Sequence, residues 1–268
     1  MVAEFCEIAK GISGKDIDEL ETRICPDIVV GYNGKFYFSK EERKQISIEE
    51  LETDNYVDYK TVVIVLESPH IDEFDENYVW SPTPAIGDTG TRLQEYFNNI
   101  NLEKWVKLDS NYRVILMNSI QYQCSLGEET KWYRDYMWLK LWYEQNMSSD
   151  FVRRLKEYKP DVIFNCCTIG NHTTDGKNNL KITRKYMKNI LNTNYKIPTN
   201  KIVSIRNIVS DEIIENFSKV KLFEMNHPSS WWSSKNRKIE CKGELKDIST
   251  FKYTEFKKYN YFLVTKNT

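Results

Sequence analysis

The chain reads as an α/β protein, a three-layer α/β/α sandwich around a central, mainly parallel four-stranded sheet. Two observations support this. Four short runs rich in Val, Ile and Leu, namely 61–66 (TVVIVL), 112–118 (YRVILMN), 161–166 (DVIFNC) and 219–226 (KVKLFEMN), look like strands buried on both faces. The segments between them carry helical periodicity, as crossovers between parallel strands require.

The first crossover contains TGTRLQEYFNNI, a helix expected over 89–100. The second, residues 130–158, carries one or two helices crowded with Trp and Tyr; such a stripe is core or helix contact before it is a stacking platform for bases. In the third, residues 178–192 form a basic amphipathic helix with Lys181, Arg184, Lys185 and Lys188, read as a solvated face or as a phosphate track. Residues 1–58, acidic and rich in turn formers, are expected to be an appended segment or cap on a domain spanning 59–268.

Composition narrows the classes. With 268 residues, 40% of them apolar, the chain can build a sizeable core, and a net charge of −1 excludes a uniformly basic surface. The charge is nevertheless lopsided: residues 1–60 hold 14 acidic and 8 basic side chains, whereas 219–268 hold 11 basic and 5 acidic ones. A one-sided positive surface is compatible with that. No apolar run reaches the roughly 20 residues that span a bilayer, and the N-terminus lacks the order of a signal peptide, so a cytoplasmic protein without membrane contact is expected. The six cysteines never fall in C-x-x-C spacing. Reduced structural thiols are expected, with no metal; Cys166 and Cys167, neighbours on a strand, should point to opposite faces.

In open parallel sheets ligands bind beyond the carboxyl ends of the strands. The residues found there are Glu67, Ser68, Pro69 and His70 after the first run, Asn118 and Gln121 at the second, Gly170, Asn171 and His172 after the third, and His227, Pro228, Ser229 and Ser230 after the fourth. All three histidines of the chain sit at these stops. A single histidine there is more often structural than catalytic; three at one edge of a sheet suggest a site.

LESPH at 66–70 and NHPSS at 226–230 together resemble the uracil-DNA glycosylase superfamily. Its thermophilic branch has G-E-A-P-G as its first motif, matched by Glu67 and Pro69, and H-P-S as its last, matched by His227, Pro228 and Ser229. PAIGDTGTRL (84–93) is similar to the family's P-F-x-G-x-x-G-x-x-L through Pro84, Gly87, Gly90 and Leu93. Asp88 falls where a further branch carries an aspartate. Asn118 ends its strand as the family's base-reading asparagine does, and GNH at 170–172 is similar to a G-S-H of the best-known branch. The likeness covers about residues 60–235. It departs at Leu66, at Ser68 (an aspartate in some branches) and at Ala85 (a base-stacking phenylalanine in the family). The cysteine pattern of an iron–sulfur cluster is missing, so no cofactor is expected.

The resemblance implies a DNA-binding, monofunctional glycosylase, expected to be monomeric. Asp88, or alternatively Asp72, would steady the sugar cation and orient water, and His227 would donate to O2 of the departing pyrimidine. Glu67, His70, Ala85 and Asn118 would form the base pocket. Ser68, Ser229 and Ser230 would touch phosphates, with a local turn hydrogen bond as the alternative for Ser229, and Trp231 or Trp232 would wedge into the duplex unless it seals the core. Ala85 and His70 imply a roomy pocket, favouring a bulky modified pyrimidine of the kind found in phage DNA, with uracil as runner-up. Rival readings are a catalytically silent nucleic-acid-binding module and a nucleoside or nucleotide hydrolase.

Overall fold

Seven residues, Lys60–Leu66, form the strand on which the molecule is organised, and every one from Thr61 onward is buried. This strand is β3 of a computed structural model that describes residues 23–32, 35–36, 59–75, 77, 82–97, 111–124, 134, 137–138, 141–143, 145–168, 172–173, 202–203, 205–233, 238–242 and 262–263. β-branched side chains suit a pleated surface covered on both sides, which is why the run extends rather than coils.

β3 pairs in parallel with β4 (Tyr112–Asn118) on one side and β5 (Val162–Asn165) on the other, and β5 pairs in parallel with β8 (Lys221–Met225). These are the four runs read from the sequence, with ends displaced by a residue or two. The sheet they belong to is wider and mixed. Antiparallel β1 (Ile28–Tyr32) and β2 (Lys35–Phe36) extend it beyond β4, and antiparallel β9 (Lys238–Lys242) and β10 (Phe262–Leu263) extend it beyond β8. The expectation of a four-stranded, mainly parallel sheet is corrected accordingly. β9, KIECK, alternates apolar with polar residues as a one-sided strand does and never forms the continuous apolar run that marks a central strand. β6 (His172–Thr173) and β7 (Ile202–Val203) form a separate antiparallel pair.

Helices contribute to apolar cores on both faces. Val62, Ile64 and Leu66 join Leu93, Tyr96 and Phe97 from the region of helix α1 (Asp88–Tyr96), together with Trp231. Val63 and Val65 join Phe151, Val152 and Leu155 of α2 (Met147–Tyr158) and Val209 and Ile213 of α3 (Ile205–Asn216). The strand alternation is the cause: successive residues point to opposite faces. Cys166 and Cys167 divide between the two cores as expected. Burial pushes both thiols well above the usual range, so neither is poised as a thiolate.

β1 comes from the segment expected to be a cap, yet it lies in the same sheet as the strands of 59–268, with a register shift between Val29 and Gly31. Asp27, just before it, is buried and accepts hydrogen bonds from Arg154 (2.6 Å) and Tyr158 (2.7 Å) of α2. Among the described residues no helix is long and apolar enough to cross a membrane. The basic segment 178–192 lies outside the described residues.

Candidate active site at the strand ends

Because β4, β3, β5 and β8 are parallel neighbours, their carboxyl ends fall along one edge of the sheet. That edge presents Asn118, Glu67, Thr168 and His227 in turn. β3 and β4 are in register to the last residue, Leu66 opposite Asn118. The alternation puts Asn118 on the face of Leu116 and Leu66, the face that α1 covers.

Asn118 is 1% exposed, and neither its amide oxygen nor its amide nitrogen has a hydrogen-bond partner among the described residues. Leaving a buried amide unpaired costs about 1–3 kcal/mol. Its backbone, by contrast, is held: the carbonyls of Asn118 and Ser119 accept from the Arg154 guanidinium at 3.1 and 3.0 Å. The residue is thus held through its backbone, while its amide is buried and unpaired.

Glu67 is buried and fully engaged. Its carboxylate accepts from Arg134 (3.1 Å) and from the backbone N–H of Thr168 (3.2 Å), and Nε2 of His227 stands 3.4 Å from Oε2. Its carbonyl accepts from the Ser119 hydroxyl (2.7 Å), from Nε1 of Trp138 (3.0 Å) and from the backbone N–H of Ile120 (3.2 Å).

His227 opens a short 3-10 turn, Pro228–Ser230, and its Nδ1 accepts the backbone N–H of Ser229 at 3.4 Å. An N–H donor on Nδ1 requires a lone pair there, so the neutral ring carries its proton on Nε2. Burial holds the imidazole below its ordinary range; Glu67 opposes that, and Arg134 and His70 reinforce it. The ring is therefore neutral at pH 7, with Nε2–H directed along the strand-end edge.

α1, whose first residue is Asp88, packs against the 228–230 turn that His227 opens. Asp88 is exposed, at a helix N-terminus where the dipole favours an anion. Asp72, the alternative water-holder, occupies the same corner: a Cβ placed on Gly87 would come within 3.8 Å of its carboxylate. His70 caps the 71–74 turn, with Nδ1 3.1 Å from Asp72 Oδ2. Ala85 is fully buried in the α1-side core and has a left-handed backbone, φ 58°, with its N–H donated to the carboxylate of Glu73 at 2.8 Å. A non-glycine residue in that conformation stores backbone strain, and strain of this kind gathers at functional sites.

Not every residue takes the part expected of it. Trp231 is completely buried, its Nε1 bonded to the carbonyl of Asn226 at 2.8 Å; a core side chain has no surface to insert, so the wedge narrows to Trp232, which is 69% exposed. The Ser68 hydroxyl oxygen, expected to touch a phosphate, is buried and has no hydrogen-bond partner among the described residues. The hydroxyls of Ser229 and Ser230 both bond within the turn, to His227 Nδ1 (2.8 Å) and to the His227 carbonyl (2.7 Å). His172 begins β6, outside the main sheet, and Gly170 and Asn171 lie outside the described residues.

Arg134 and Trp138 were not legible as site residues. Both lie in the aromatic-rich crossover, whose one visible signal is their spacing of four, which sets both on one helix face. No group of His, Cys, Asp and Glu among the described residues is arranged to hold a metal ion. No protein-family model matches the chain, and neither does any curated protein or solved structure.

Proposed function

We propose that the chain is a monofunctional DNA glycosylase of the uracil-DNA glycosylase type, on a three-layer α/β/α fold, that hydrolyses the bond between a flipped pyrimidine and its deoxyribose. One observation carries the reading: a buried asparagine with both amide atoms unpartnered sits at the same sheet edge as a neutral histidine presenting Nε2–H. An unpaired donor and acceptor side by side match the edge of a pyrimidine.

The chemistry follows from charge. As the C1′–N1 bond breaks, its electron pair leaves with the base and the sugar becomes cationic. The Asp88 carboxylate opposes the positive charge and orients water for attack on C1′, with Asp72 beside it as the second candidate. The Nε2–H of His227 donates to the oxygen on which negative charge develops. Water supplies the new C1′–O bond, and its proton is released. Trp232 fills the gap left in the duplex, offsetting an unstacking cost of a few kcal/mol.

Ala85 replaces the ring that the resembled family stacks on the base. A bulky modified pyrimidine is therefore the favoured substrate, which would suit defence against phage, and uracil is the runner-up.

Duplexes holding uracil, thymine, 5-hydroxymethylcytosine or glucosylated cytosine, and modified phage DNA, should be incubated with the protein and assayed for alkali-labile abasic sites. Abasic sites should form, and Asp88→Asn and His227→Ala should each lower the rate by about 10²- to 10³-fold. Trp232→Ala should impair action on duplex DNA while sparing a free nucleoside. Absence of abasic sites from every substrate would overturn the proposal.

A further inference from the structure

Glu67 poses a problem for the site. A carboxylate 3.4 Å from Nε2 of His227 is well placed to draw a proton onto the ring and to repel the anion that a departing base becomes. At 3% exposure, Glu67 has little water to screen it. Its partner is Arg134, whose Nη1 lies 3.1 Å from Oε1 with the side chain 16% exposed. The opposite oxygen, Oε2, is the one that faces His227 and also accepts the N–H of Thr168. Four residues on, Trp138 from the same crossover grips the carbonyl of Glu67 and the hydroxyl of Ser119 through Nε1. Arg134 and Trp138 therefore secure Glu67 at its carboxylate and at its carbonyl.

We propose that Arg134 is a positioning residue: it neutralises and orients the Glu67 carboxylate so that His227 remains a neutral donor with Nε2–H at the strand-end edge. Arg134 touches neither sugar nor base; it acts through Glu67. Three groups act on the His227 ring, namely Glu67, which favours protonation, and Arg134 and His70, which oppose it. α1, packed on the 228–230 turn, carries Asp88, Arg92 and Glu95, of which the last two pair with each other at 2.7 Å. Removing the Arg134 charge leaves Glu67 as a buried anion whose nearest means of compensation is a proton on His227. The direction is then set: the imidazole should become more basic.

The proposal rests on the glycosylase reading only for its effect on rate, because the coupling itself can be observed without a substrate. With three histidines in the chain, His227 can be assigned in NMR titrations by its disappearance in His227→Gln. Arg134→Gln should move the His227 titration to higher pH, Arg134→Lys should restore most of the native position, and Glu67→Gln should move it the opposite way. On a cleavable duplex, Arg134→Gln should lower kcat by about 10- to 10²-fold with little change in KM, and should shift the acid limb of the pH–rate profile upward. A titration unmoved in Arg134→Gln, or moved equally by Arg134→Lys, overturns the proposal. Coupled titrations in a protein inactive on every substrate would leave Arg134's role standing and remove the glycosylase reading instead.

Discussion

The exits of β4 and β8 solve the same problem in different ways. Each strand leaves the sheet at the candidate site, and each exit is braced by an arginine from a neighbouring helix, buried at β4 and partly exposed at β8. At β4, Arg154 of α2 donates to the carbonyls of Asn118 and Ser119 and is itself paired with Asp27 at 2.6 Å and Asp150 at 2.8 Å. At β8, Arg206 of α3 donates to the carbonyl of Met225 (3.0 Å) and to Oδ1 of Asn226 (3.1 Å), but its carboxylate partner Glu224 stands 3.7 Å away. Glu224 instead accepts a 2.6 Å hydrogen bond from Ser210, which in turn accepts from Asn165. The first brace is a compact ion cluster; the second is a looser polar chain.

The side chains differ in the opposite sense. Asn118, on the tighter backbone, has no partner for its amide, whereas both ring nitrogens of His227 face polar neighbours. The contrast suggests a division of labour. A rigid backbone can carry an unsatisfied group that waits for a ligand, and a group that must keep one protonation state is surrounded by fixed charges and dipoles.

The largest expected effect tests the two braces. Arg154→Met strands the Asp27 carboxylate in the core and should cost about 3–5 kcal/mol in urea or thermal unfolding. Arg206→Met leaves Glu224 with its Ser210 bond and should cost less, about 1–3 kcal/mol. Equal losses would erase the distinction between the exits.

Asn118→Leu sharpens the contrast at the side chains. It removes an amide with no partner among the described residues, so unfolding measurements should show stability unchanged or raised by about 1 kcal/mol, while the base excision proposed above should be lost. A marked loss of stability would mean that the amide is already satisfied. The corresponding His227→Gln change disturbs a bonded network and should destabilise the fold.

The smallest effect is in pH. The folded protein holds His227 below its ordinary range, so as pH falls through that range the unfolded chain takes up a proton that the folded chain resists. Stability contributed by His227 is therefore present above the ordinary imidazole range and declines below it. Urea midpoints at pH 7.5 and 5.5 should differ more for the native chain than for His227→Gln.

Much of this arrangement was legible in the sequence. TVVIVL and YRVILMN announce buried strands because the runs are short, continuous and rich in Val, Ile and Leu, and the parallel rule then directs attention to Glu67, Asn118 and His227. β1 was harder to see, since its apolar residues sit in an acidic, turn-rich segment. Trp231 and Trp232 were indistinguishable as neighbours in a string; the tight turn after His227 decides which ring enters the core.

What the chain determined by itself is local: where it extends, where it turns polar, and which side chains stand at those stops. Periodicity and β-branching act over a few residues and need no partner to be read. Only the tertiary structure decided that Arg134 would meet Glu67, that Arg154 would reach back to Asp27, and that Asn118 would be buried with nothing to bond. Those outcomes depend on which distant segments share a sheet edge and a core, and a buried charge or amide takes its meaning from whatever is brought within about 3–4 Å of it.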